Sequence, residues 1–170
     1  MRQSHYFLYY LVLLVAQVLI CNYLRVSPYL MLSILPVLVL TLPLRISTIG
    51  ALFIAFASGL CVDMLAEGII GINTVALLPV ALVRRTLAKL LFGDELFARK
   101  EDFSIRRNGF AKVFAAIVIV QALFLAVYIW ADGAGVRPLW FSALRFGVSL
   151  AAGVVVSLLL IDTLAPDEKK

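Results

Sequence analysis

Between Gly50 and Leu91 two long apolar segments are joined by a very short hinge, and one carboxylate, Asp63, lies inside the apolar part. A charge at the centre of a bilayer costs about 2.5–3.5 kcal/mol on insertion scales. A chain that keeps such a charge needs a partner or a use for it. The bilayer is the solvent this sequence calls for: 64% of its 170 residues are hydrophobic, only 15% are charged, and the mean hydropathy is +1.06. Ordinary soluble domains run at about 45–50% apolar and about 25% charged. A water-soluble fold of this size has too little interior for so many apolar side chains. One membrane domain, residues 1–170, accounts for the whole length.

A membrane-spanning helix needs about 20 apolar residues, and six segments approach that length: 6–24, 28–44, 46–66, 71–92, 111–131 and 139–164. The reading is an all-α membrane protein built as a bundle of six transmembrane helices. The first run has no small-residue cleavage site followed by a polar region and reads as a retained span. The second is marginal in length and carries Pro36 and Pro43. Proline removes a backbone donor, although membrane helices tolerate it where neighbours repair the gap. A re-entrant hairpin is the alternative there.

Charge placement supports six. With alternating connections, one side collects Arg2, Arg45, Arg84, Arg85, Lys89, Arg99, Lys100, Arg106, Arg107, Lys112, Lys169 and Lys170, which is twelve of fifteen basic residues. The other side has Arg25, Arg137 and Arg145. The positive-inside rule then puts both termini in the cytoplasm. The net charge of +5 reads as topology and attraction to anionic headgroups. No aromatic–basic module suggests nucleic acid. The largest polar feature, a basic cytoplasmic loop at about 93–110 with flanking cations from Arg84 to Lys112, reads as a solvated loop or as an amphipathic helix on the inner headgroups. Docking of a cytoplasmic protein is a third reading.

Asp63 lies seventeen residues after Ile46, about 25 Å into a hydrocarbon slab of about 30 Å. Glu67 follows one turn later, and Asn73 opens the next span at similar depth. Arg145, six residues into the last span, sits about 9 Å from the same face. The depths match, so an Asp63–Arg145 pair with a hydrogen bond from Asn73 is expected, pairing being how buried charges survive. The alternative is an Arg145 that snorkels outward and a hydrated Asp63. Gln17, Asn22 and Gln121 can hydrogen-bond between helices, and Asp162 reads as interfacial. Small residues recur at four-residue spacing in Ala51, Ala55 and Gly59, and again in Ser149, Gly153 and Ser157, with Gly147 and Ala151 on an adjacent stripe. Such stripes let backbones approach closely, within this bundle or against a partner's helix.

No catalytic constellation is visible. His5 has no partner, the cysteines Cys21 and Cys61 have no ligand spacing, and the glycines beside the hinge lack the lysine and hydroxyl of a phosphate loop. No cofactor and no metal are expected.

Leu42-Pro43-Leu44-Arg45 closing the second segment, Gly50 and Gly59 in the third, the run Gly59-Leu60-Cys61-Val62-Asp63-Met64-Leu65, and Gly71-Ile72-Asn73 after the hinge resemble the bacterial rod shape-determining family MreD. The likeness is strongest over about residues 40–85; the basic inner loop is longer than the family leads one to expect. It implies a non-enzymatic inner-membrane component of the cell-elongation machinery, which binds MreC and acts with MreB, RodA and the elongation-specific penicillin-binding transpeptidase. It also implies a fold similar to the substrate-binding subunits of energy-coupling-factor transporters. By that likeness Gly59, Asp63, Gly71 and Asn73 shape the outer half of the bundle, with Arg145 as the expected partner of Asp63. Two rivals are weighed against it. A small-molecule-binding transporter subunit needs convergent polar groups in its outer half, where this chain has few. A membrane enzyme needs a nucleophile, base or metal cluster.

Overall fold

The computed structural model describes residues 2–23, 30–93, 109–133 and 138–164. All regular structure among them is helical. In chain order the helices are α1 (Arg2–Tyr23), α2 (Leu35–Leu40), α3 (Thr48–Val62, continued by a π-helical turn Asp63–Glu67), α4 (Ile72–Phe92), α5 (Phe110–Gly133) and α6 (Leu139–Leu164). Among the described residues three stretches are long and apolar enough to cross a membrane: Thr48–Ala66, Phe110–Gly133 and Leu139–Ile161. Helix α1 adds a shorter apolar stretch, Phe7–Tyr23. Helix α4 is of similar length, but Arg84, Arg85 and Lys89 fall in its second half. The basic loop expected at 93–110 lies almost wholly outside the described residues.

Helix α4 is central. It packs against α3 on one side and α5 on the other, with the short α2 set between α4 and α5, and α6 leans on α5 at the edge. Leu35, Leu38, Leu40, Leu77, Ile117, Phe124 and Leu125 form the buried heart of the molecule. The outer faces are apolar as well. Phe7, Leu11, Val15 and Leu19 line α1, Ile49, Phe53 and Phe56 line α3, and Val155 and Leu159 line α6, all exposed. So much contiguous apolar surface suits a hydrocarbon solvent and not water.

Of the segment expected as a helix over 28–44, the described residues, 30–44, are helical only over Leu35–Leu40, six residues or about 9 Å. Pro36 stands in the first turn of α2, where its missing N–H costs nothing. It therefore starts a helix instead of kinking one. Residues 30–34 ahead of it are not helical, yet Met31, Ser33 and Ile34 are buried. Irregular backbone at this depth needs its polar groups satisfied by protein, and three helices supply side chains for that. Gln17 of α1 accepts from Ile34 N at 2.8 Å and donates to Leu32 O at 3.3 Å. Ser149 of α6 accepts from Met31 N at 2.9 Å. Gln121 of α5 donates to Ser33 O at 3.1 Å. The two glutamines expected to bridge helices thus serve backbone instead.

Gln17→Leu leaves the Ile34 amide without an acceptor in an apolar interior, at a cost of about 1–3 kcal/mol. The expected outcome is a clear fall in the thermal midpoint of the detergent-solubilised chain. Asn22→Ala, at an exposed side chain, should leave the midpoint nearly unchanged.

Candidate functional site

Helix α3 ends in one wide turn. The amide of Gly68 reaches back five residues to Asp63 O at 3.1 Å, and Gly68 closes the turn with φ of 71°. π-Helical turns insert one extra residue into a helix and often mark sites with a task. Here the turn carries the chain over to Gly71, whose φ of 110° makes it the left-handed residue before α4. Gly71 occupies the N-cap position, where an oxygen-bearing side chain ordinarily accepts from the first-turn amides, and it has no side chain to do so.

Asp63 fills that role from the neighbouring helix. Its Oδ2 accepts from Gly71 N at 2.9 Å, Thr74 N at 3.1 Å and Thr74 Oγ1 at 2.7 Å. Its Oδ1 accepts from Asn73 N and Asn73 Nδ2, both at 3.0 Å. Three of the five donors are backbone amides at the start of α4, which have no partner within their own helix. The carboxylate is fully buried and faces the positive end of the α4 dipole. Charge-assisted hydrogen bonds of this kind are worth about 1.5–3 kcal/mol each. Together with the dipole they hold the buried carboxylate, which has no cation beside it among the described residues.

Gly59, one turn before Asp63, makes the approach of the two helices feasible. A Cβ built there would lie 2.6 Å from Thr74 Cα and 2.8 Å from Thr74 N, closer than any carbon is tolerated. The stripe Ala51, Ala55, Gly59 is buried and belongs to this chain's own packing. Four sequence candidates, Gly59, Asp63, Gly71 and Asn73, therefore meet in one clamp. Thr74, which donates twice, is an addition that sequence reading missed; its position one residue after Asn73 was the available signal.

Arg145 is the correction. Its guanidinium donates to Asp132 Oδ2 and lies over the Tyr128 ring, 5.8 Å from its centroid. Asp132 and Tyr128 are one turn apart on α5, so Arg145 ties α6 to α5 and does not reach the clamp. Matching depth was legible from sequence; lateral neighbourhood was not. The short connection between α5 and α6, which makes these helices neighbours, was the signal that pointed to Asp132.

A second buried charge also went unread. Arg84, grouped with the inner cations by charge counting, is 3% exposed inside α4. It donates to Leu40 O at 3.3 Å, Pro43 O at 2.9 Å and Leu42 O. These carbonyls lie at and just beyond the C-terminal end of α2, the negative end of a helix. Of the remaining candidates, Cys21 and Cys61 form no disulfide, and no metal-ligating group of three or more His, Cys, Asp or Glu occurs among the described residues. The side chains of His5, Glu67 and Asp162 lie outside what is described. Compared with known proteins, the chain matches no family model, no curated protein and no solved structure.

Two substitutions test the clamp. Asp63→Asn keeps the shape but removes the charge and half the acceptors, and should lower the yield of folded, monodisperse protein several-fold. Gly59→Ala should be at least as damaging because it pushes α4 away bodily. Gly71→Ala, which meets no neighbour within 4 Å, should cost only the strain of a left-handed residue, about 1–2 kcal/mol. Size-exclusion profiles and thermal midpoints in one detergent rank the three.

Proposed function

We propose that this chain is a non-enzymatic scaffold in the bacterial inner membrane, a component of the cell-elongation machinery of the MreD type. On this reading it binds MreC and works beside MreB, RodA and the elongation-specific penicillin-binding transpeptidase. Six spans, both termini in the cytoplasm and an architecture like that of energy-coupling-factor substrate-binding subunits belong to the same proposal. The support is twofold. The residue pattern at 40–85 resembles the family, and the polar members of that pattern are spent on holding the α3–α4 hairpin.

The observation that carries the reading is the engagement of Asp63. Its carboxylate takes five hydrogen bonds from its own chain, a geometry suited to fixing shape and ill suited to proton transfer or ligand capture. A rigid hairpin with exposed Met64, Leu65, Ile69 and Ile70 at its tip gives a partner's membrane helix or adjoining segment a fixed apolar surface to meet.

Affinity purification of the tagged full chain from its own membranes in a mild detergent tests the proposal. Co-recovery of MreC together with wall-synthesis enzymes supports it. Co-recovery of a pair of ATPases in their place overturns it in favour of a transporter subunit. A reporter fused at Arg99 should report the cytoplasm, and an outside signal there removes the topology on which the scaffold reading rests.

A further inference from the structure

The seam between α5, α6 and the irregular segment 30–34 holds polar oxygens that the fold itself leaves unused. Gln121 is 0% exposed, and its Nε2 donates to Ser33 O, but its Oε1 has no partner among the described residues. Ser33 Oγ and Ser157 Oγ, on residues that are also 0% exposed, likewise have none. Ser33 and Gln121 are neighbours, and the α6 face that carries Ser157 packs on Gln121 through Gly153. Ser33 and Gln121 are joined by the amide hydrogen bond. Gly153 of α6 is pressed on the Gln121 amide so closely that a Cβ there would lie 2.9 Å from Gln121 Cδ. Ser157 stands on the same α6 face one turn beyond Gly153, about 6 Å along the axis. One turn before Gly153, Ser149 accepts from Met31 N. Ser149, Gly153 and Ser157 thus form one stripe on α6. Its first member binds that segment, its second admits Gln121, and its third is unassigned.

We propose that Ser33, Gln121 and Ser157 bind one ordered water molecule that bridges α5, α6 and the irregular segment. The donor and acceptor pattern selects the ligand. An amide oxygen only accepts, whereas a serine hydroxyl both donates and accepts. A water donating to Gln121 Oε1 and to one serine while accepting from the other satisfies all three atoms. Buried waters of this kind make about three hydrogen bonds to groups that are otherwise unpaired. A bare cation fits less well. All three atoms are neutral, and an uncompensated charge in an apolar interior is costly. This inference stands apart from the scaffold proposal and holds or fails with the seam alone.

The test is a crystal structure of the full chain in a lipid mesophase, at a resolution that shows ordered water, from sodium buffer and from choline buffer. A peak within hydrogen-bond distance of Ser33 Oγ, Gln121 Oε1 and Ser157 Oγ in both buffers is expected. A peak lost in choline means an alkali cation and overturns the water. A serine hydroxyl donated directly to Gln121 Oε1, with no peak between, overturns the site itself. Ser157→Val checks the same point in solution. It fills the seam with methyl groups and strands Gln121 Oε1, so the thermal midpoint should fall by several degrees relative to Gly147→Ala on the exposed face. A midpoint that is unchanged or raised overturns the proposal.

Discussion

The carboxylate of Asp63 set against the first turn of α4 is the interaction around which the hairpin is organised. A helix inside hydrocarbon has four amides at its start that neither water nor its own backbone can serve. Gly71 supplies the left-handed turn that a short hinge needs, and by being glycine it gives up the capping side chain. Asp63 restores the cap from across the hairpin. The arrangement requires Gly59, because a capping group on another helix works only if the two backbones nearly touch. The wide turn after Val62, the two left-handed glycines and the small-residue stripe on α3 are all conditions of that one contact.

Arg84 answers the same problem with the opposite sign. It meets the carbonyl end of α2 as Asp63 meets the amide end of α4, so both buried charges are compensated by backbone dipoles. The neutral polar side chains follow suit: Gln17, Gln121 and Ser149 serve main-chain groups of residues 30–34. Polar residues in this molecule act mostly on backbone and only seldom on one another. Arg145 with Asp132, an ion pair between two side chains, is partly exposed and belongs to the end of the α5–α6 pair.

The helices whose stability comes from their own length and apolarity were legible in the sequence. The runs expected at 111–131 and 139–164 correspond to Phe110–Gly133 and Leu139–Leu164. Where stability depends on distant partners, sequence was mute. Residues 28–44 look like a poor helix because of their prolines, but their apolar character says nothing of the glutamines and serine that make an irregular path affordable. Asp63 announced itself as a buried charge, and Asn73 as a neighbour in depth. Apart from the Thr74 hydroxyl, the remaining donors are main-chain amides, which no side-chain pattern advertises. Arg145 was matched to the wrong acid because rise along a helix gives depth, while its bearing around the bundle comes only from packing.

The contacts also differ in how long the ribosome must work before they can form. Every donor to Asp63 is eight to eleven residues downstream, so the α3–α4 hairpin can close almost as soon as it leaves the exit tunnel. Met31 must wait for Ser149, 118 residues later, and Ser33 must wait 88 residues for Gln121. During that interval the irregular stretch has main-chain groups that the nascent protein itself cannot satisfy. Biogenesis of the first third of the molecule therefore stays provisional until the last helix arrives.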